Sequence, residues 1–159
     1  MKTAIVYATS HGTTEKVANM ISESIENADT INLKQISTID LNNYDQIIIG
    51  GSIHAGKIQR RVKMFCQKNL TQLLRMRVGL FVCAMNEPEF EKELNAAFPE
   101  SISNHALSRK VVGGEFIIEK MNFIERFLIK KISGVTQTIS KLDSKNISAL
   151  VNEMKLVNN

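Results

Sequence analysis

The chain has no tryptophan and only two cysteines, two prolines and two tyrosines among its 159 residues, and aromatic side chains make up 6% of it. With no tryptophan and no aromatics interleaved among its basic residues, it offers no stacking platform for single-stranded nucleic acid, so nucleic acid is not an expected partner. Cys66 and Cys83 stand apart in unrelated surroundings, which argues against a disulfide framework or a thiolate metal site. His11, His54 and His105 share no ligand spacing, so no metal is expected. No apolar run approaches the roughly 18 residues of a membrane span. The N-terminus enters an apolar run almost at once and leaves no room for a secretory signal. A cytoplasmic protein is the expectation.

What is present begins with size: a 43% hydrophobic chain of this length is read as one compact domain over residues 1–159. The net charge is +4 and unevenly spread. Lys57, Arg60, Arg61, Lys63, Lys68, Arg75 and Arg77 follow one another with no acid between them, and Glu87, Glu89, Glu91, Glu93 and Glu100 face only Lys92. Such a surface could orient an anionic substrate, an anionic membrane or an acidic partner, or be solvated helix face.

The most informative stretch is residues 2–18. Ala4-Ile5-Val6-Tyr7 is long enough for a buried strand and too short for a helix. Thr9, Ser10, His11, Gly12, Thr13 and Thr14 form a hydroxyl-rich loop, and Val17, Ala18, Ile21 and Ile25 then recur at helical spacing. Strand, small polar loop and helix aim several N–H groups and a helix dipole into one concavity, where a phosphate needs neither lysine nor metal. The three glycines of a dinucleotide fingerprint and the Gly-Lys-Ser/Thr of a P-loop are both missing. The alternative is a βα turn rich in capping residues.

Downstream, strands are expected at Asp29–Leu33, Gln46–Ile49, Val78–Cys83 and Lys110–Ile118, with helices at about 14–26, 58–74 and 144–156 and an acidic helix marked by Phe90, Leu94, Ala97 and Phe98. Near-continuous apolar strands alternating with helices imply an α/β domain with a parallel sheet covered on both faces. Five such strands fit a doubly wound sheet of order 2-1-3-4-5 in a three-layer sandwich. Its ligand would lie where the order reverses, at the carboxyl ends of the first and third strands. Receiver domains share that architecture but need clustered aspartates, and the loops here carry Ala8-Thr9 and Gly50-Gly51-Ser52 instead. A Cys-x5-Arg phosphatase loop is missing at Cys83.

The Thr9–Thr14 loop resembles the Ser/Thr-x-Thr-Gly-x-Thr phosphate loop of flavodoxins, with His11 where that family usually has a hydroxyl. Three further stretches resemble one branch of the flavodoxin-domain family, that of bacterial menaquinone-dependent protoporphyrinogen oxidase. They are residues 44–56 (YDQIIIGGSIHAG), Gly113-Gly114 and residues 123–134 (FIERFLIKKISG). Here Ser133-Gly134 continues Val135-Thr136-Gln137 rather than with a second glycine. The resemblance implies a flavodoxin-like fold binding FMN, with the phosphate on Thr9–Thr14. The ring would lie between Ser52, Ile53, His54, Ala55 and Gly56 on one side and Ala84, Met85 and Asn86 on the other. It implies an FMN-dependent oxidoreductase acting in heme biosynthesis, taking electrons from a porphyrinogen-like or other small-molecule donor and giving them to a quinone or redox protein.

No catalytic acid–base pair is then needed, because the flavin bears the chemistry. His54 is the titratable group that could tune the ring, or else an exposed loop histidine. Glycine at 56 allows a peptide there to change conformation. Lys57, Arg60 and Arg61 could meet substrate propionates. Ile53 and Met85 stand where electron-carrier flavodoxins sandwich the ring with aromatics, which leaves it open to an organic substrate. Between Lys120 and Ile132, apolar residues fill more than half of a helical wheel and the net charge is +3. That excess is read as peripheral contact with the inner face of the membrane, where menaquinone resides, as a porphyrin or subunit contact, or as deeper burial in the chain's own core. Two rival functions remain: an electron-shuttle flavodoxin, disfavoured by a sequence pI near 9.1, and an FMN-binding module without turnover.

Overall fold

The computed structural model describes residues 1–36 and 38–156. In chain order it contains β1 (Thr3–Tyr7), α1 (Thr13–Ser24), β2 (Ala28–Asn32), β3 (Gln46–His54), β4 (Lys57–Ile58), α2 (Arg60–Lys68), α3 (Leu70–Leu73) and β5 (Arg77–Cys83). Then follow α4 (Phe90–Ala97), α5 (Glu100–His105), β6 (Ser108–Val111), β7 (Gly113–Phe116), α6 (Phe123–Ser133), β8 (Ile139–Leu142) and α7 (Ser144–Lys155). The central strands run in the order β2-β1-β3-β5-β6, each pair parallel. Counted by parallel strands alone, this is the expected order 2-1-3-4-5.

The three layers follow from strand alternation. Ala4, Val6, Ile47, Ile49, Leu80 and Val82 face Val62 and Phe65 of α2, Leu94 of α4 and Ile102 of α5. Their neighbours Ile5, Tyr7, Ile48, Phe81 and Cys83 face Val17 and Ile21 of α1 and Leu150 and Met154 of α7. Both faces of the middle strands are therefore apolar, and Ile47, Ile48 and Ile49 are all fully buried. Each such side chain contributes about 1.5–3 kcal/mol by burial.

Four boundaries differ from the sequence reading, each for a local reason. β3 runs past Gly50-Gly51 to His54, because Ile53 and His54 pair antiparallel with Ile58 and Lys57 of β4. The helix expected over 58–74 starts at Arg60 and breaks at Asn69, whose side-chain amide donates to the Phe65 carbonyl at 2.8 Å. The expected fifth strand is split. Ser108–Val111 joins the sheet, whereas Gly113 adopts φ +71° and sends Gly113–Phe116 away to pair antiparallel with β8. β8 itself was not expected; four residues have no period of their own and are a strand only through β7.

Candidate cofactor site

The carboxyl ends of β1 and β3 lie side by side, Tyr7 opposite Gly50, so the loops that follow them meet at the point where the sheet order reverses. In the first loop the Thr9 hydroxyl accepts the Gly12 N–H at 2.9 Å and closes a tight turn. Gly12 is the N-cap of α1 in the left-handed region at φ +96°, where a side chain would be strained. Among the described residues no side chain caps this helix, so its first N–H groups are left for another acceptor. Thr14 is fully buried, and its hydroxyl has no hydrogen-bond partner among the described residues. Its polar neighbour is the Cys83 thiol, which burial pushes up to about 12 and which is at best a weak donor. The Thr13 hydroxyl donates to Glu115 of β7 at 3.2 Å.

Ser52, Ile53 and His54 are not a free loop but the end of β3, turned back onto β4 through Ala55 and Gly56, both at positive φ. Gln59 organises this hairpin. Its carbonyl oxygen accepts the Ser52 N–H at 2.8 Å, and its amide nitrogen donates to the Ser52 hydroxyl and, at 3.5 Å, to that of Ser10. One glutamine thus ties the first loop to the second. The Ser52 hydroxyl also lies 3.1 Å from His54 Nε2, and the His11 and His54 rings are 5.8 Å apart. His54 keeps an exposed edge, yet the protein crowding it disfavours the imidazolium. That desolvation, with the charge of His11, holds its pKa below the usual histidine value against the pull of Glu125.

The third loop, Ala84 to Asn86, is anchored by the Ala84 N–H, which donates to the Gly113 carbonyl at 2.9 Å. A Cβ on Gly114 would come within 3.1 Å of the Ala84 carbonyl oxygen and 3.2 Å of Met85, so the glycine pair lets β7 cross the end of β5 closely. Beside this crossing is a cavity of about 350 Å³ lined by Ala84, Met85, Glu87, Phe90, Gly113 and Lys141. Lys57 of β4 and Arg60 and Arg61 of α2 are exposed, and among the described residues none has a carboxylate within ion-pair distance. Arg60 and Arg61 open α2, where the helix dipole disfavours cations.

The segment linking β7 to β8 leans over the first loop. Glu125 closes a capping box with Asn122 at the start of α6, and the same carboxylate lies 3.0 Å from His11 Nε2. On α6 the half-buried positions are Glu125 and Ile129, and Met121 just ahead of the helix is half-buried as well. Outward it presents Phe123 at 83% exposure, Ile124 at 68%, Phe127 at 57% and Ile132 at 81%. Of the readings for Lys120–Ile132, deeper burial is therefore ruled out, since no residue of α6 is buried.

Known proteins bear on this arrangement. The Flavodoxin domain family matches residues 4–143. The chain belongs to the flavodoxin-domain family. It is 25% identical over 147 residues to "Protoporphyrinogen IX dehydrogenase [quinone]" of Escherichia coli K12, covering 84% of this chain and 81% of that protein. Among solved structures, a Fusobacterium nucleatum flavodoxin bound to flavin mononucleotide is similar with a TM-score of 0.52 and 18% identity, covering 98% of each chain. Rubredoxin:oxygen oxidoreductase of Desulfovibrio gigas is similar with a TM-score of 0.56 and 17% identity; it covers 98% of this chain, which spans only 37% of that longer one.

The cofactor of this flavodoxin-domain protein is FMN, and the first loop suits its phosphate end. The loop supplies uncapped helix N–H groups, a left-handed glycine and a buried hydroxyl without a partner, which is the donor set an anion at a helix start requires. The Thr13 hydroxyl proton is already given to Glu115, whereas the Thr9 hydroxyl only accepts from Gly12 and keeps its own proton to donate. Sequence reasoning missed Gln59, Glu115 and Glu125. Nothing in the local pattern marks Gln59 or Glu115. A capping-box spacing from Asn122 to Glu125 was readable, but its reach to His11, 114 residues away, was not. Among the described residues no group of His, Cys, Asp and Glu could hold a metal ion, and no helix is long and apolar enough to cross a membrane.

Proposed function

We propose that the chain is an FMN-dependent dehydrogenase that takes hydrogen from a porphyrinogen-like donor and passes it to a quinone. The observation that carries this reading is the outward apolar face of α6 beside the flavin site, tied to the phosphate loop through His11 and Glu125. Exposed apolar faces mark contact with a membrane or a protein partner, and this one with Lys130 and Lys131 suits an anionic membrane surface. Bound FMN supplies the two-electron chemistry at its own ring. The protein's part is to hold and orient it: Thr9, Ser10, Gly12, Thr13 and Thr14 at the phosphate, with Ser52, Ile53, Ala55, Gly56, Ala84, Met85 and Asn86 around the ring.

His11 holds α6 at the site, and His54, kept neutral near pH 7 by desolvation, can donate or accept one hydrogen bond without adding charge. Lys57, Arg60 and Arg61 are the cations for donor carboxylates. They are unpaired among the described residues, and Arg60 and Arg61 sit at a helix start that disfavours them, so an anionic ligand would relieve both. α6 would lie in the plane of a membrane surface with Phe123, Ile124, Phe127 and Ile132 among the acyl chains and Lys130 and Lys131 at anionic headgroups. In that pose the site would lie beside a lipid-soluble acceptor.

The test is anaerobic. FMN-loaded protein is mixed with protoporphyrinogen IX and a menaquinone analogue, and porphyrin fluorescence is followed against protein without flavin. The expected result is catalytic formation of porphyrin only when protein, FMN and quinone are all present. If no porphyrin forms, while the bound flavin is reduced by a reductase and reoxidised by a protein acceptor, the shuttle reading replaces this one.

A further inference from the structure

We infer that Lys120, carried by the segment between β7 and α6, is the cationic partner of the flavin phosphate and the residue through which the site prefers a phosphorylated flavin. The inference rests on the phosphate assignment to Thr9–Thr14. That loop contains no lysine or arginine, and the carboxylates nearest to it are all engaged with its own surroundings. Glu125 is on His11, Glu115 on Thr13 and Lys16, and Glu15 accepts from the Tyr7 hydroxyl. The Lys16 ammonium, the cation on the first turn of α1, is committed to Glu115 at 2.8 Å. Against these carboxylates the dipole of α1 supplies only about half a positive charge. A phosphate can be held there by N–H groups alone, and a cation beside the loop would offset the rest of its charge.

Lys120 is placed to provide it. Its ammonium lies 3.1 Å from where a Cβ on Gly12 would stand, at the centre of the loop. Among the described residues it has no carboxylate within ion-pair distance and makes no side-chain hydrogen bond. Its backbone is fixed. The Arg126 Nε–H donates to the Ile118 and Met121 carbonyls at 2.9 and 3.0 Å, and the Thr138 hydroxyl accepts the Ile118 N–H at 3.1 Å. Gly12 thus does two things: it allows the left-handed turn, and it leaves the space that the ammonium uses. Because α6 follows directly, Lys120 links phosphate occupancy to the seating of α6 beside the His11–Glu125 pair.

The experiment compares FMN with riboflavin, which lacks the phosphate. The full chain freed of flavin is titrated with each, and dissociation constants are read from quenching of flavin fluorescence at two salt concentrations. For Lys120→Met, FMN should bind about tenfold more weakly and with a shallower salt dependence, as expected for a lost charge-assisted contact, while riboflavin is unchanged. Lys120→Arg should recover most of the loss. Lys155→Met, the same charge change at the exposed end of α7, should alter neither flavin. Equal weakening of FMN and riboflavin by Lys120→Met would make Lys120 a mere brace for the segment and overturn the inference, as would no change in either. A wild-type chain that binds riboflavin as tightly as FMN would overturn the phosphate assignment itself, and with it the role of Lys120.

Discussion

Single residues decide how closely this site is built. A Cβ on Gly50 would stand 2.0 Å from the Phe81 ring, and that ring is fully buried in the layer facing α1 and α7. Gly50→Ala should therefore destabilise the fold by about 1–3 kcal/mol or more, as overpacking does, seen as a lower denaturant midpoint with an unchanged slope. The thiols are inert for a related reason. Burial pushes both Cys66 and Cys83 up to about 12, so neither should react with a thiol reagent at pH 8 until the protein is unfolded. Absorbance of the released chromophore, with and without denaturant, checks this. In the sequence the two cysteines show no disulfide or metal pattern, and in the fold burial is what silences their thiols.

At the scale of elements, α6 is the unusual part. Its polar latch, Glu125, points inward and all its large apolar residues except Ile129 are exposed, the reverse of a surface helix that packs on its own sheet. Sequence alone counted too many apolar positions for one stripe but could not say which way they faced, because a wheel has no origin until one contact fixes it. The His11–Glu125 pair supplies that contact. Replacing Phe123 and Phe127 by serine should reduce binding to anionic, quinone-containing vesicles about tenfold or more while leaving thermal stability nearly unchanged, since neither side chain is buried in the free protein. Co-sedimentation and a melting curve would show it. A stability loss without a binding loss would place those rings on the protein instead.

Across the whole molecule, carboxylates set the acid limit. The Tyr44 hydroxyl and Lys2 hold Asp29 below the usual carboxylate range. Burial would raise Glu115 and Glu153, but Lys16 with Ser140 and Thr13 in the first case, and Lys110 with Ser108 in the second, more than offset it. All three are depressed in the folded state, so their contribution is complete above the unfolded carboxylate pKa of about 4 and is lost as pH falls through the lower folded values. His54, also depressed, contributes fully above about pH 6.5 and loses its share as the medium is acidified below that. Glu93 is raised, chiefly by burial, and works in the opposite direction. Denaturant unfolding from pH 8 to pH 3 should therefore show stability falling on acidification. Since Glu115 joins α1 to the β7–β8 pair, the region around the flavin phosphate should loosen first by hydrogen exchange.

Local chemistry determined the strand–loop–helix at residues 3–24, the buried strands and their order. Apolar runs of strand length alternating with helical periods leave few ways to cover a parallel sheet, and a sheet order puts its crevice in one place. The likeness in residues 44–56, 113–114 and 123–134 pointed to the same family as the match over residues 4–143. What only the tertiary structure decided are relations between residues distant along the chain. The bend at Gly113 depends on where β8 lies, Gln59 matters because a hairpin brings it under Ser10, and Lys120 matters because its segment folds back over Gly12. None of these has a period or a spacing, since each is a contact made through space by groups that sequence leaves far apart.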